Sequence, residues 1–169
     1  MNYWKIKKFD IANGSGLRTS IWVTGCHFHC KDCFNQELWE FSSGKLFDSA
    51  AEKELFEKLS DSHCQGLSVL GGEPLMQGQD MVNLLQKVKS MYPPKDIWIW
   101  TGFYLEEALQ DETRKKILSY CDVVVDGRFD HSKHVGHLYF RGSSNQSIYR
   151  NVNGEFVKIE NPEEYFSKI

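Results

Sequence analysis

Three of the chain's five cysteines fall within eight positions, in Gly25-Cys26-His27-Phe28-His29-Cys30-Lys31-Asp32-Cys33-Phe34, a C-x3-C-x2-C loop that restricts what the surrounding chain can be. In a reducing compartment, thiols crowded in this way signal metal binding rather than a disulfide framework. Thiolates are the soft ligands that iron–sulfur clusters use. Three of them, Cys26, Cys30 and Cys33, reach three irons of a 4Fe-4S cube and leave the fourth iron open to a small ligand. A structural zinc site would close with four ligands. His27, His29, Cys64 and Cys121 are candidates for that fourth ligand, but no second cysteine pair accompanies the loop and His29 abuts Cys30. An electron carrier would want a fourth cysteine at a fixed spacing, and none is present. Cys64 and Cys121 stand alone and read as small buried apolar side chains, while His27 and His29 read as loop-shaping or solvent-facing.

The loop sits within a repeating strand–helix pattern. Thr19 to Thr24 is β-branched and aromatic and runs into Gly25, so the spacing predicts a strand that delivers the cysteines. Leu67 to Leu70 predicts a second strand closed by Gly71-Gly72. Ile97 to Trp100 predicts a third ending at Thr101-Gly102, and Val123 to Val125 a fourth ending at Asp126-Gly127. Helical spacing lies between them. Ser49 to Leu59 carries Ala51, Leu55, Phe56 and Leu59 on one face, with Ser49 and Glu52 spaced as a capping box. Met81, Leu84, Leu85 and Val88 mark a second helix, stopped before Pro93-Pro94, and Tyr104 to Tyr120 a third stretch in one or two pieces. Strands alternating with helices predict βαβ units, whose binding crevice lies outside the carboxyl ends of the strands. The cysteine loop and the three later turns should therefore gather at one edge. Four or five strands cannot close as an eight-stranded barrel does. The predicted fold is α/β, an open partial (βα) barrel with a mostly parallel sheet.

A chain of 169 residues suits one domain spanning 1–169, with about 151–169 as a candidate C-terminal extension. Extended pieces such as Leu138 to Arg141 receive no predicted place. The formal charge of −3, with basic residues scattered as in Lys7-Lys8 and Lys115-Lys116, favours no nucleic-acid partner. Met1 to Asp10 lacks the apolar core of a signal peptide, and no run of about 18 apolar residues exists to span a membrane. The expected location is cytoplasmic. No Ser/His/Asp or paired-carboxylate pattern marks a catalytic acid or base.

The cysteine loop after the first strand, followed by Gly71-Gly72-Glu73-Pro74 after the second, resembles the radical S-adenosylmethionine superfamily. The resemblance implies that the methionyl amine and carboxylate of S-adenosylmethionine chelate the open iron. It also implies that Gly71, Gly72 and Glu73 meet the methionyl ammonium, where two glycines permit close approach and carbonyls or a carboxylate suit the charge. On that placement, Gly72→Val is expected to weaken cofactor binding and spare the cluster. Asp32, Cys33 and Phe34 complete the cofactor side. Asp32 stands where the superfamily often has an aromatic residue near the adenine, which leaves Phe34 or backbone to pack that ring.

A nearer resemblance, to the activating proteins of anaerobic ribonucleoside-triphosphate reductase, rests on Asp10 to Gly14, Lys95 to Gly102, Val124 to Phe129 and Arg141 to Gln146. It implies reductive cleavage of S-adenosylmethionine at a 4Fe-4S cluster and a glycyl radical on the large subunit of the reductase. A low-potential electron donor such as flavodoxin is implied too. Asn13 to Gly16 and Arg141 are expected on the rim that meets the partner, with ordinary turns and sheet capping as the alternative. Thr101 and Asp126 are expected either in ribose or carboxylate contacts or in plain turn chemistry. The rival functions are activation of another glycyl-radical enzyme, radical chemistry on a small molecule, and a zinc-stabilised binding module.

Overall fold

The computed structural model describes residues 1–169. Its strands are β1 (Asn2–Asp10), β2 (Arg18–Val23), β3 (Lys45–Leu46), β4 (Gly66–Gly71), β5 (Asp96–Trp100), β6 (Val123–Asp126), β7 (Ser147–Val152) and β8 (Glu155–Lys158). Its helices are α1 (Ser49–Leu59), α2 (Gln79–Met91), α3 (Leu105–Ala108), α4 (Glu112–Ser119) and α5 (Pro162–Phe166). The strands form one open sheet in the order β3-β1-β2-β4-β5-β6-β7-β8. At its centre β2, β4, β5 and β6 run parallel. β1 and β3 flank them antiparallel on one side, β7 and β8 on the other. The sheet is thus wider than four or five strands, and it is mixed outside its parallel centre. No helix is long and apolar enough to cross a membrane.

The period of two along the central strands sorts the side chains. Ile21, Val23, Leu67, Val69, Ile97, Ile99 and Val124 join the buried faces of α1, α2 and α4 in one apolar core. Helix α1 begins where expected, but its cap is Asp48, whose carboxylate accepts from the Ala51 amide at 3.0 Å. The Ser49–Glu52 spacing therefore lies one position inside the true cap. The stretch from Tyr104 to Tyr120 divides into α3 and α4, the latter capped by Asp111.

Four strands were not expected from the sequence: the two-residue β3, and β1, β7 and β8. β1 alternates charged and apolar residues, and β7 and β8 form a hairpin in which Val152 faces Glu155. The hairpin turns on Asn153-Gly154, with φ of 55° and 92°, the positive values that a two-residue turn between twisted strands demands. Leu138 to Arg141 is not a strand: Phe140 takes a φ of 54° and its carbonyl accepts from the Trp100 indole at 2.7 Å. The residues beyond 151 continue the sheet through β8. They then fold back through α5, where Phe166 packs against Trp98 and Phe140 with ring centroids 5.7 and 4.9 Å away.

On the sheet face opposite the core helices, at the amino ends of β2, β4 and β5, lies a buried guanidinium. Arg18 donates to Ser68 Oγ at 2.6 Å, to the Leu67 carbonyl at 3.0 Å and to the Ser15 carbonyl at 3.1 Å, and it pairs with Asp96 at 2.7 Å. One side chain therefore ties three strands and the loop before β2. Removing one member of a buried ion pair leaves the other charge uncompensated, so Arg18→Ala is expected to cost about 3–5 kcal/mol in urea unfolding. Asp96→Asn should cost less, since that carboxylate is 31% exposed. A loss below about 1 kcal/mol for Arg18→Ala, the range of an exposed pair, would show that the guanidinium does not hold the strands.

Candidate functional site

Every parallel strand ends at the same edge, and there the turns meet. The Gly72 amide donates to the Val23 carbonyl and the Glu73 amide to the Gly25 carbonyl, each at 2.8 Å. The turn after β4 is thereby zipped to the root of the cysteine loop. The next segment supports the same root: Gly25 and Cys26 donate their amides to the carbonyls of Leu38 and Trp39, both at 2.8 Å. Gly71 has a φ of 112°, and a Cβ there would stand 2.5 Å from the Val23 carbonyl oxygen. At Gly72 a Cβ would stand 2.7 Å from the Gly25 carbonyl oxygen. The two glycines are thus required by backbone packing against the strand that delivers Cys26.

Cys26, Cys30 and Cys33 line one cavity of about 180 Å³, together with Gly71, Gly72 and Glu73. No three ligating side chains converge tightly enough to hold a single metal ion. A cube asks for less convergence, because each thiolate meets a different iron. Burial pushes the Cys26 thiol up to about 11, and the charges of Glu73 and Cys30 push the same way. Burial, with the charge of Cys33, also raises Cys30. The resistance of Cys26 and Cys30 to ionisation suits a polycationic iron core, which would supply the missing positive charge. His29 stacks on Trp39 with centroids 4.3 Å apart and His27 meets Phe41 at 4.9 Å, so both shape the loop and neither lines the cavity. Cys64 and Cys121 are buried elsewhere.

Glu73 is almost fully buried, and the protein engages both of its oxygens. Oε1 accepts from the Leu75 amide at 2.9 Å and from Thr101 Oγ1 at 2.7 Å, while Oε2 accepts from the Gly102 amide at 2.7 Å. Burial raises this carboxyl to about 7 against the pull of those three donors. Its visible work is to tie the turn after β4 to the turn after β5. Phe34 stands at the cavity wall, 63% exposed, with its ring 4.7 Å from that of Phe129. Asp32 adopts a φ of 57° and lines a separate shallow concavity with Lys31, Asp130 and His131 rather than the one the cysteines share.

A family model described as a 4Fe-4S single cluster domain matches residues 12–149. The anaerobic ribonucleoside-triphosphate reductase-activating protein of Haemophilus influenzae is 40% identical over 154 residues, covering 89% of this chain and 98% of the relative. The protein of that name from Enterobacteria phage T4 is 40% identical over 156 residues, covering 91% and 97%. That from Escherichia coli is 36% identical over 153 residues, covering 88% and 98%. The chain belongs to the anaerobic ribonucleoside-triphosphate reductase-activating protein family.

Within this family framework several residues take places the sequence did not suggest. Asn13 to Gly16 lies at the amino ends of the parallel strands, the edge away from the cysteines. There the Asn13 carbonyl accepts from Ser68 Oγ at 2.6 Å and the Ser15 carbonyl from Arg18. Arg141 is not a free rim charge either, because its guanidinium pairs with Glu163 of α5 and donates to the Gln146 carbonyl. Asp126, by contrast, performs the plain turn chemistry that the sequence offered as one alternative, accepting from the amides of Leu105 at 2.7 Å and Ser147 at 3.1 Å. Phe28, Asn35, Trp100 and Phe129 line the cavity without having been singled out. Phe129 and Trp100 stood inside family-like stretches but carried no assigned role, and only the strand-end rule could have drawn attention to them.

Two outcomes follow from this packing. Alanine at Cys26, Cys30 or Cys33 should remove bound iron from the anaerobically reconstituted protein, whereas Cys64→Ala and Cys121→Ala should keep it. Loss of iron from a folded Cys64→Ala or Cys121→Ala variant would overturn the three-ligand set. Gly72→Val should lower iron content as well as cofactor affinity, contrary to the expectation from sequence, because the new side chain collides with the Gly25 backbone. Full iron with weakened cofactor binding in that variant would restore the original expectation.

Proposed function

We propose that this chain activates an anaerobic ribonucleoside-triphosphate reductase by generating a glycyl radical on the large subunit. The observation that carries the reading is the shared cavity of Cys26, Cys30, Cys33 and the Gly71-Gly72-Glu73 turn, in a chain whose relatives bear the activating-protein name. The three thiolates would hold three irons of a 4Fe-4S cluster. When bound and reduced, that cluster supplies one electron to S-adenosylmethionine, giving methionine and a 5′-deoxyadenosyl radical that takes a hydrogen atom from the reductase's glycine.

The remaining roles belong to this chain's own residues. Glu73 already accepts three hydrogen bonds, so it serves the methionyl ammonium by fixing the turn's backbone, and the turn's carbonyls make the contact. Gly71 and Gly72 keep that turn against the cysteine loop. Phe34 and Phe129 offer the apolar surface for the adenine, and Asp32 contributes through the turn it makes beside Cys33 rather than through its carboxylate. At about 180 Å³ the cavity is smaller than the ~300–1,000 Å³ of ordinary ligand sites. Enclosure of the reacting groups therefore falls partly to the reductase, whose glycine-bearing loop would exclude water. The protein would work in the cytoplasm with a low-potential donor such as flavodoxin, and with no nucleic acid or membrane.

The test is anaerobic mixing with the reductase large subunit, S-adenosylmethionine and a reductant. The expected result is a glycyl signal in electron paramagnetic resonance, with a 5′-deoxyadenosine yield that rises when the reductase is present. Equal cleavage with and without the reductase, and no glycyl signal, would count against a protein substrate and favour radical chemistry on a small molecule.

A further inference from the structure

Arg128 follows Gly127 at the carboxyl end of β6 and belongs to no strand or helix. Its guanidinium carbon lies 4.4 Å above the centre of the Phe28 ring. Phe28 sits between Cys26 and Cys30 on the cavity wall, and Phe103 supports it from another side at 4.7 Å. The residue after Arg128 reaches the same loop, since the Phe129 ring lies 4.7 Å from that of Phe34, the residue after Cys33. The 128–129 segment is held down in turn, because the Arg128 carbonyl accepts from the Asn145 side chain at 2.8 Å. The Arg128 side chain is 42% exposed and has one anionic partner, Glu107, at 3.4 Å. A side chain this exposed does little for the core. Its placement instead clamps the cysteine loop through the Phe28 ring and sets a positive charge over that loop.

We infer that Arg128 is a positioning residue for the iron–sulfur site, holding Phe28 in place and setting the cluster's reduction potential by putting a cation over the loop that carries Cys26 and Cys30. A cube held by three thiolates is net negative and gains one further negative charge on reduction. A nearby cation therefore stabilises the reduced form more than the oxidised one. The ring of Phe28 excludes water from one side of the guanidinium, so the effect is screened by salt only in part. Glu107 opposes it by partly neutralising the same charge. The inference rests on cluster binding alone and does not depend on which substrate follows.

The experiment compares the full chain with Arg128→Gln, Arg128→Lys and Glu107→Gln after anaerobic reconstitution. Iron content is measured first, and then the cluster midpoint by redox titration monitored with electron paramagnetic resonance at low and high salt. Arg128→Gln should shift the midpoint to more negative potential, and Arg128→Lys should restore most of that shift. Glu107→Gln should shift it the other way. That variant keeps the α3 cap, because glutamine serves at the same capping position as glutamate. The Arg128→Gln shift should narrow at high salt. A wild-type midpoint in iron-loaded Arg128→Gln would overturn the inference. If Arg128→Gln fails to retain iron, Glu107→Gln decides: a positive shift upholds the inference, and an unchanged or negative one overturns it.

Discussion

Two backbone hydrogen bonds, Gly72 to Val23 and Glu73 to Gly25, determine whether the rest of the site can exist. They extend the β2–β4 pairing past its last strand residues, so the strand that delivers the cysteines and the turn beside them become one body. Net, such bonds are worth about 0.5–1.5 kcal/mol each, but leaving their buried partners unmade costs about 1–3 kcal/mol. Both glycines are needed for that approach. Glu73 then carries the constraint onward, binding Thr101 and the Gly102 amide after β5. Three strand ends are thereby locked to one another before any cofactor is considered.

The two edges of the parallel sheet divide the labour. The carboxyl edge holds the thiols, the glycines and the exposed aromatic ring of Phe34. The amino edge is closed by Arg18, Asp96, Ser68 and the loop at Asn13 to Gly16. Interlinked polar groups there stiffen the scaffold, as expected where stability and chemistry occupy opposite ends of parallel strands. The C-terminal segment serves the scaffold too, with Glu163 holding Arg141 and Phe166 covering Trp98.

The cysteine spacing, the four central strands and the three helical stretches were legible because each has a strong local pattern: β-branched runs ending at glycine, and apolar faces stopped by proline. β1 was not, because an outer strand with lysines at alternate positions looks like polar surface. The β7–β8 hairpin carried its own signal in Asn153-Gly154, but flanking strands with few buried residues gave no apolar run to frame it. The error over Asn13 to Gly16 was one of topology rather than of residues. A loop that precedes β2 must lie at the opposite end from the loop that follows it. Neither the ion pair of Arg141 with Glu163 nor the bonds of Glu73 to Thr101 and Gly102 could be read locally, since these partners lie more than 20 positions away.

The central claim is a cluster with three protein ligands and one open iron, set beside a turn shaped for a small chelating ligand. Mössbauer spectroscopy on protein reconstituted with iron-57, recorded before and after addition of S-adenosylmethionine, tests it most directly. The account predicts that one iron of the cube changes its isomer shift and quadrupole splitting on addition while the other three keep theirs. Four irons that remain alike and unaltered by S-adenosylmethionine would contradict it.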